Sequence, residues 1–358
     1  MNPGFDQSSI HLALAHQDSI RRASTSKRLA NGYPSDLHLG DLGLTDLHPT
    51  PDDIERDALA GLSCSPKRLS SKYFYDARGS ELFEEITRLP EYYPTRTEIA
   101  LMETCMPQIA QAIGARAHVV EYGSGSGRKT RMLLDALAHP VAYTPIEISR
   151  TALLDSVGRL RSEFPQIEML PVCADFTRAV RLPESTRAAA RKLVFFPGST
   201  LGNFSVDEAV TLLLGMRVAI GQHGAALIGI DLQKDTALIE AAYNDAAGVT
   251  AQFTLNLLTR LNREIGSNFD LSGFRHRARY DVGAGRIDTY LVSQRRQTVQ
   301  VGSCAFHFEA DEAIHVEYSH KYTDTGFAQL AALAGLQVID GWNDVRNWFG
   351  LRLLVGRF

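Results

Sequence analysis

The chain has 358 residues, 44% of them hydrophobic and 22% charged, which suits two domains or one domain with a large insertion and excludes wholesale disorder and fibrous architectures. Lys plus Arg number 37 against 41 Asp plus Glu, a net charge of −4. The chain therefore lacks the basic field of a nucleic-acid or anionic-membrane binder, and a small-molecule partner is expected, with no nucleic acid, no membrane and no obligate protein partner.

No apolar run approaches the roughly 18 residues of a bilayer span, and no secretory signal is recognised. Cys64, Cys105, Cys173 and Cys304 show neither CxxC nor Cys/His zinc spacing. A reduced, cytoplasmic, metal-free protein is expected.

Residues 1–50 are rich in Ser, Asp, His, Asn, Gly and Pro without sustained periodicity, the pattern of a mobile leader. Ordered structure is expected from Asp52, where Pro51-Asp52-Asp53 reads as a helix start ahead of an Ile54, Ala58, Leu59 and Leu62 stripe. Tyr73, Tyr75, Tyr92 and Tyr93 then crowd one segment. They are either core aromatics with hydroxyls at the surface or the wall of a hydroxyl-lined pocket.

From there apolar strand-like runs at 118–122, 141–147, 167–173, 192–196 and 225–231 alternate with helical patterns at 129–137, 151–164 and 206–219. This predicts βαβ units and a parallel sheet covered on both faces. The rhythm then changes, with helices expected at 236–247 and 250–264 and strands at 274–280, 286–293 and 305–309. A helix at 324–334 and strands at 337–340 and 348–358 close the chain. The expected fold is α/β, a Rossmann-like nucleotide-binding sheet with an inserted smaller α+β substrate-binding domain. Residues 51–96 and 234–320 would form the smaller domain, with 97–233 and 321–358 forming the core.

The sharpest motif is Val119-Val120-Glu121-Tyr122-Gly123-Ser124-Gly125-Ser126-Gly127, an apolar strand ending in an acid and a glycine turn ahead of a helix. Glycines permit tight turning and close approach of a ligand. A dinucleotide fingerprint would want its third glycine at 128, where Arg128 stands. The acidic-x-GxGxG form instead resembles motif I of class I S-adenosylmethionine (SAM) methyltransferases. Glu147 closes the next strand, where an acid can accept from a ribose hydroxyl, and Asp175-Phe176 follows the third, where an adenine ring would lie. Either acid alone could equally be a solvated loop residue or a helix cap.

Asn203, in Pro197-Gly198-Ser199-Thr200-Leu201-Gly202-Asn203, could hold an amine or a carboxylate, or could be an N-cap or turn former ahead of the helix starting near Ser205. In Ile314-His315-Val316-Glu317-Tyr318-Ser319, extended chain would put Glu317 and Ser319 on one face, fit to grip a heterocycle. The other reading is an exposed strand edge.

Together these segments resemble the ergothioneine-pathway L-histidine Nα-methyltransferases, which trimethylate histidine to hercynine with SAM. The resemblance covers about residues 52–358 and rests on Phe74-Tyr75-Asp76, Leu89-Pro90-Glu91-Tyr92-Tyr93-Pro94-Thr95-Arg96, Gly123-Ser124-Gly125 with Lys129-Thr130, Pro197-Gly198-Ser199-Thr200 with Gly202-Asn203, Asp231-Leu232 with Lys234-Asp235, and Tyr243-Asn244-Asp245 with Gly248-Val249-Thr250. It implies that Gly123, Gly125, Lys129, Glu147, Asp175 and Phe176 surround SAM. It implies that Tyr92, Asn203 and Tyr243 contact the amino acid, with Glu317 and Ser319 on the imidazole. Asn203, Tyr243 and Tyr75 are the catalytic candidates, with Tyr75, Tyr243 or a bound water open as the proton relay. Two departures stand out: Glu147 occupies a position more usually Asp, and Thr289 falls where relatives can carry Met. Methylation of another amino acid such as tryptophan, a dinucleotide-dependent oxidoreductase and a non-catalytic SAM-binding protein are the alternatives.

Overall fold

Nine strands form the central sheet of the computed structural model, which describes residues 44–47, 50–125 and 127–357. Most of the expected leader lies outside those residues. Its last part does not: β1 (Thr45–Leu47) pairs in parallel with Val172–Ala174, so ordered structure starts before Asp52.

Thr50 and Asp53 form a capping box at the start of α1 (Pro51–Leu62), where side chains satisfy otherwise unpaired backbone N–H groups. A 3-10 turn at Ser71–Phe74 leads to α2 (Ala77–Ile86), capped by Asp76, and to α3 (Tyr93–Ile113). The alternating part follows as β2 (Ala117–Tyr122), α4 (Arg128–Ala136), β3 (Ala142–Glu147), α5 (Arg150–Glu163), β4 (Glu168–Met169), β5 (Val172–Ala174), β6 (Arg191–Phe196), a 3-10 turn at Thr200–Asn203, α6 (Val206–Ile220) and β7 (Ala225–Asp231). Then come α7 (Thr236–Tyr243), α8 (Val249–Ile265), β8 (Phe274–Asp281), β9 (Arg286–Ser293), β10 (Gln297–Val301), β11 (Cys304–Phe308), β12 (Ala313–His320), α9 (Asp324–Leu333), β13 (Leu336–Asn343) and β14 (Phe349–Gly356).

The strand order is β1-β5-β3-β2-β6-β7-β14-β13, with β4 alongside β3. β14 runs antiparallel to both neighbours, and the other pairings are parallel. Strand geometry sends successive side chains to opposite faces, and here both faces are buried. Val120 and Phe196 pack under Leu213 and Met216 of α6 and Phe327 of α9, while Val119 and Phe195 pack under Met102 and Ile109 of α3 and Leu133 of α4. A parallel sheet covered on both sides reads as continuous apolar runs, which is why these strands were legible.

A second cluster joins Ile54 and Leu62 of α1, Leu82 and Ile86 of α2 and Leu257 and Leu261 of α8 to the antiparallel sheet β12-β9-β8 and the hairpin β10-β11. Both layers belong to one compact unit.

The elements depart from expectation where a specific residue intervenes. The run at 167–173 divides into β4 and β5 because Pro171 has no N–H to give a ladder. α7 stops at Tyr243 rather than 247 because the Asp245 carboxylate takes the N–H groups of Val249 and Thr250, each at 2.8 Å, to start α8. α2, α3 and β10 were not foreseen; Pro107 inside α3 disguises its length.

Candidate active site

Acidic side chains gather at the carboxyl ends of the parallel strands, beside the point between β2 and β6 where the chain reverses its direction of winding. Open α/β sheets bind ligands at such crevices. Gly123, Gly125 and Gly127 hold φ values of 75°, 48° and 76°, left-handed backbone that glycine adopts without penalty. Glu147 Oε2 accepts from the Gly125 nitrogen at 3.2 Å and Oε1 from the Ser149 nitrogen at 3.1 Å. Burial pushes the Glu147 carboxyl up, and these backbone donors pull it back. Ser124 Oγ is buried without a protein partner and lines the same cavity.

Asp175 stands beyond β5. Its Oδ1 accepts from the Thr177 nitrogen at 3.0 Å, and Lys72 from the 3-10 turn reaches Oδ2 at 3.1 Å. Phe176 follows, half-buried among Tyr122, Phe196 and Phe204. Lys129 also lines the cavity, but its ammonium pairs at 2.7 Å with Glu98, a fully buried carboxylate that accepts from the Gly198 nitrogen. Lys72 and Glu98 carried no signal in the sequence, since each acts through a partner about a hundred residues away.

The cavity has a volume of about 1540 Å³ and continues from the glycine turn to Tyr75, Tyr92, Asn203 and Glu317. The four tyrosines divide two and two. Tyr73 and Tyr93 are buried, their hydroxyls on Asp57 and Asp231, whereas Tyr75 and Tyr92 line the cavity. Burial, with negative charge at Glu317 adding to it, pushes the Tyr75 phenol well up; for Tyr92 burial, Tyr243 and then Glu317 do the same.

Asn203 ends the 3-10 turn and faces the cavity. The N-cap of α6 is instead Ser205, in a capping box with Glu208, which overturns the cap reading of Asn203.

Glu317 and Ser319 lie on β12, the edge strand of the small sheet. A bulge between His315 and Glu317 inserts Val316 into the ladder. A bulge re-aims the side chains that follow it, so Ile314 and Val316 enter the core while Glu317 faces the cavity. Burial pushes the Glu317 carboxyl up to about 8, against the pull of Lys321. Opposite Glu317 in the ladder is Thr289, whose buried hydroxyl has no protein partner. Tyr243 and Ser319 sit just behind the wall, their hydroxyls 2.7 Å apart, with the Tyr243 ring 6.3 Å from that of Tyr92.

Asp231, Lys234 and Lys321 complete a buried ionic group beneath these hydroxyls. Sequence reasoning gave them no role, although Asp231 closes an apolar strand as Glu147 does.

A Rossmann-like sheet with an antiparallel penultimate strand, an acidic-x-GxGxG turn and an acid at the end of the neighbouring strand defines a class I SAM-dependent methyltransferase. Residues 54–355 match the family model described as histidine-specific methyltransferase, SAM-dependent, and the chain belongs to that family. It is 39% identical over 308 residues to the histidine N-alpha-methyltransferase of Mycolicibacterium smegmatis, covering 84% of this chain and 94% of that protein. It is likewise 39% identical over 305 residues to the Mycobacterium tuberculosis protein of the same name, with the same coverage. A Neurospora crassa protein named ergothioneine biosynthesis protein 1 is 31% identical over 298 residues, 81% of this chain and 33% of that protein. The chain is thus an enzyme, and its methyl donor is SAM. No described helix is long and apolar enough to cross a membrane.

Proposed function

We propose that the enzyme transfers three methyl groups in succession to the α-amine of L-histidine, giving hercynine, the first step of ergothioneine biosynthesis. The observation that carries this reading is the single cavity joining the glycine turn and Glu147 to a wall of Tyr75, Tyr92, Asn203 and Glu317. Gly123, Gly125, Lys129, Glu147, Asp175 and Phe176 would hold SAM; the orphaned Ser124 hydroxyl and the free lone pairs on Glu147 suit a polar nucleoside. When bound, SAM supplies an electrophilic methyl on a sulfonium leaving group.

The chain's own task is alignment, exclusion of water and selection of the unprotonated amine. Asn203 and Tyr92, with Tyr243 behind, orient the amino acid, and Glu317 with Ser319 selects its ring. The amine lone pair forms the new N–C bond as the methyl–sulfur bond breaks. The first and second products each release one proton to restore a lone pair, and the third is a quaternary ammonium. The phenols of Tyr75, Tyr92 and Tyr243 are all pushed upward, so they remain protonated at neutral pH and pass protons through hydrogen bonds rather than store them. Tyrosine faces also stabilise a growing methylammonium.

Residues 51–96 and 234–320 would form the amino-acid side of the cleft, with 97–233 and 321–358 the SAM side. The enzyme incubated with SAM and an equimolar mixture of the twenty amino acids should yield trimethylated histidine as the dominant product by mass spectrometry. Dominant methylation of another amino acid, tryptophan included, would overturn the substrate assignment.

A further inference from the structure

Behind the cavity wall, the Lys321 ammonium donates to the Tyr243 hydroxyl at 2.8 Å and to the Ser319 hydroxyl at 2.9 Å. It also pairs with Asp231 Oδ2 at 2.8 Å. The Lys321 side chain has no exposed surface, and that of Asp231 is 1% exposed. Tyr93 and Lys234 occupy the remaining lone pairs of the Asp231 carboxylate, and the Ser199 hydroxyl accepts from its backbone N–H. Burying two lysines around one aspartate is unfavourable unless every hydrogen has a defined place.

Those places can be counted. An ammonium has three hydrogens and no lone pair, and Tyr243, Ser319 and Asp231 take all three. Each hydroxyl has one hydrogen and can accept. Both accept from Lys321, and one of the two hydroxyl hydrogens is used inside the Tyr243–Ser319 bond. The second has no acceptor among the described residues. Tyr243 stands edge-on to the cavity-lining Tyr92, and Ser319 is two residues from the cavity-lining Glu317. The pair thus borders the cavity wall with one hydrogen uncommitted.

We propose that Lys321, clamped by Asp231, is a positioning residue for substrate choice. By occupying one lone pair on each hydroxyl, it leaves the hydroxyl that keeps its free hydrogen with no lone pair to offer, so that hydroxyl meets the substrate ring only as a donor to an acceptor nitrogen. Without the ammonium that hydroxyl regains a lone pair and offers donor or acceptor alike. This inference rests on histidine being the substrate.

The test is a double-mutant cycle on the full chain with Lys321→Met, Ser319→Ala and both together, reading histidine KM, kcat and SAM affinity. Asp231 keeps Tyr93 and Lys234 as partners in Lys321→Met, and thermal unfolding checks that the variant folds. If it does not, Lys321→Leu, which has no donor to give the two hydroxyls, is read in the same way. Each single substitution is expected to raise histidine KM about tenfold, with kcat and SAM affinity within about twofold, and the double should be no worse than about twofold beyond the poorer single. A histidine KM unchanged in Lys321→Met, losses that multiply in the double, or a parallel loss of SAM affinity would overturn the role. Failure of the wild type to methylate histidine would defeat the substrate reading and this inference with it; wild-type turnover with an unchanged Lys321→Met KM would defeat this inference alone.

Discussion

The Glu147 carboxylate at the end of β3 accepts the backbone N–H of Gly125 at 3.2 Å, so the glycine turn after β2 and the acid closing the adjacent strand form one unit. The side chain that would meet the ribose thereby fixes the turn that would meet the rest of SAM. A hydrogen bond to a charged group contributes about 1.5–3 kcal/mol, so Glu147→Ala should weaken SAM binding by about ten- to a hundredfold. Calorimetric titration checks this, and Glu147→Asp, one methylene shorter, should lose far less. Histidine affinity should fall little in either variant.

Gly202 touches β12 through its missing side chain. A Cβ there would lie 2.8 Å from the His320 carbonyl oxygen and 3.0 Å from the His320 nitrogen, backbone that cannot step aside as a flexible side chain would. Gly202→Ala should push the 3-10 turn from the strand, costing about 1–3 kcal/mol as overpacking does. Because Asn203 is the next residue, turnover should fall more than SAM affinity. Thermal unfolding and steady-state rates together test this.

Glu317 gives a pH signature. Its carboxyl moves from 4.5 to about 8 on folding because burial opposes its charge. Between those values the folded state holds a proton that the unfolded state has released, so this group subtracts stability as pH rises from 4.5 to about 8. Glu317→Gln, which cannot ionise, should match the wild-type melting temperature near pH 4.5 and exceed it increasingly toward pH 8. A difference independent of pH would contradict this. The same variant should use histidine less well.

Asp245 caps α8 with both carboxylate oxygens, on Val249 and Thr250. Removing such a cap costs about 0.5–2 kcal/mol, so Asp245→Ala should lower the unfolding temperature by a few degrees. SAM affinity should be retained, because Asp245 does not line the cavity.

The sequence by itself determined the parallel sheet, because strands buried on both faces carry apolar runs rather than alternation, and Val119-Val120 of β2, Leu193–Phe196 of β6 and Ala225–Ile228 of β7 are such runs. It also marked the glycine turn and Glu147, which the structure joins by a hydrogen bond at the carboxyl ends of adjacent strands. The tertiary structure alone decided which tyrosines line the cavity. Tyr73 and Tyr75, two residues apart, differ in what the fold places beside them, the Asp57 carboxylate at the hydroxyl of one and the cavity beside the other, whose ring packs on Phe83 and Phe253. It also decided that Asn203 is no helix cap, that a bulge turns Glu317 toward the cavity, and that Asp231 and Lys321, ninety residues apart, meet in the interior. Periodicity reports one element's own faces, whereas an ion pair or a cavity wall is a relation between elements, and only packing sets it.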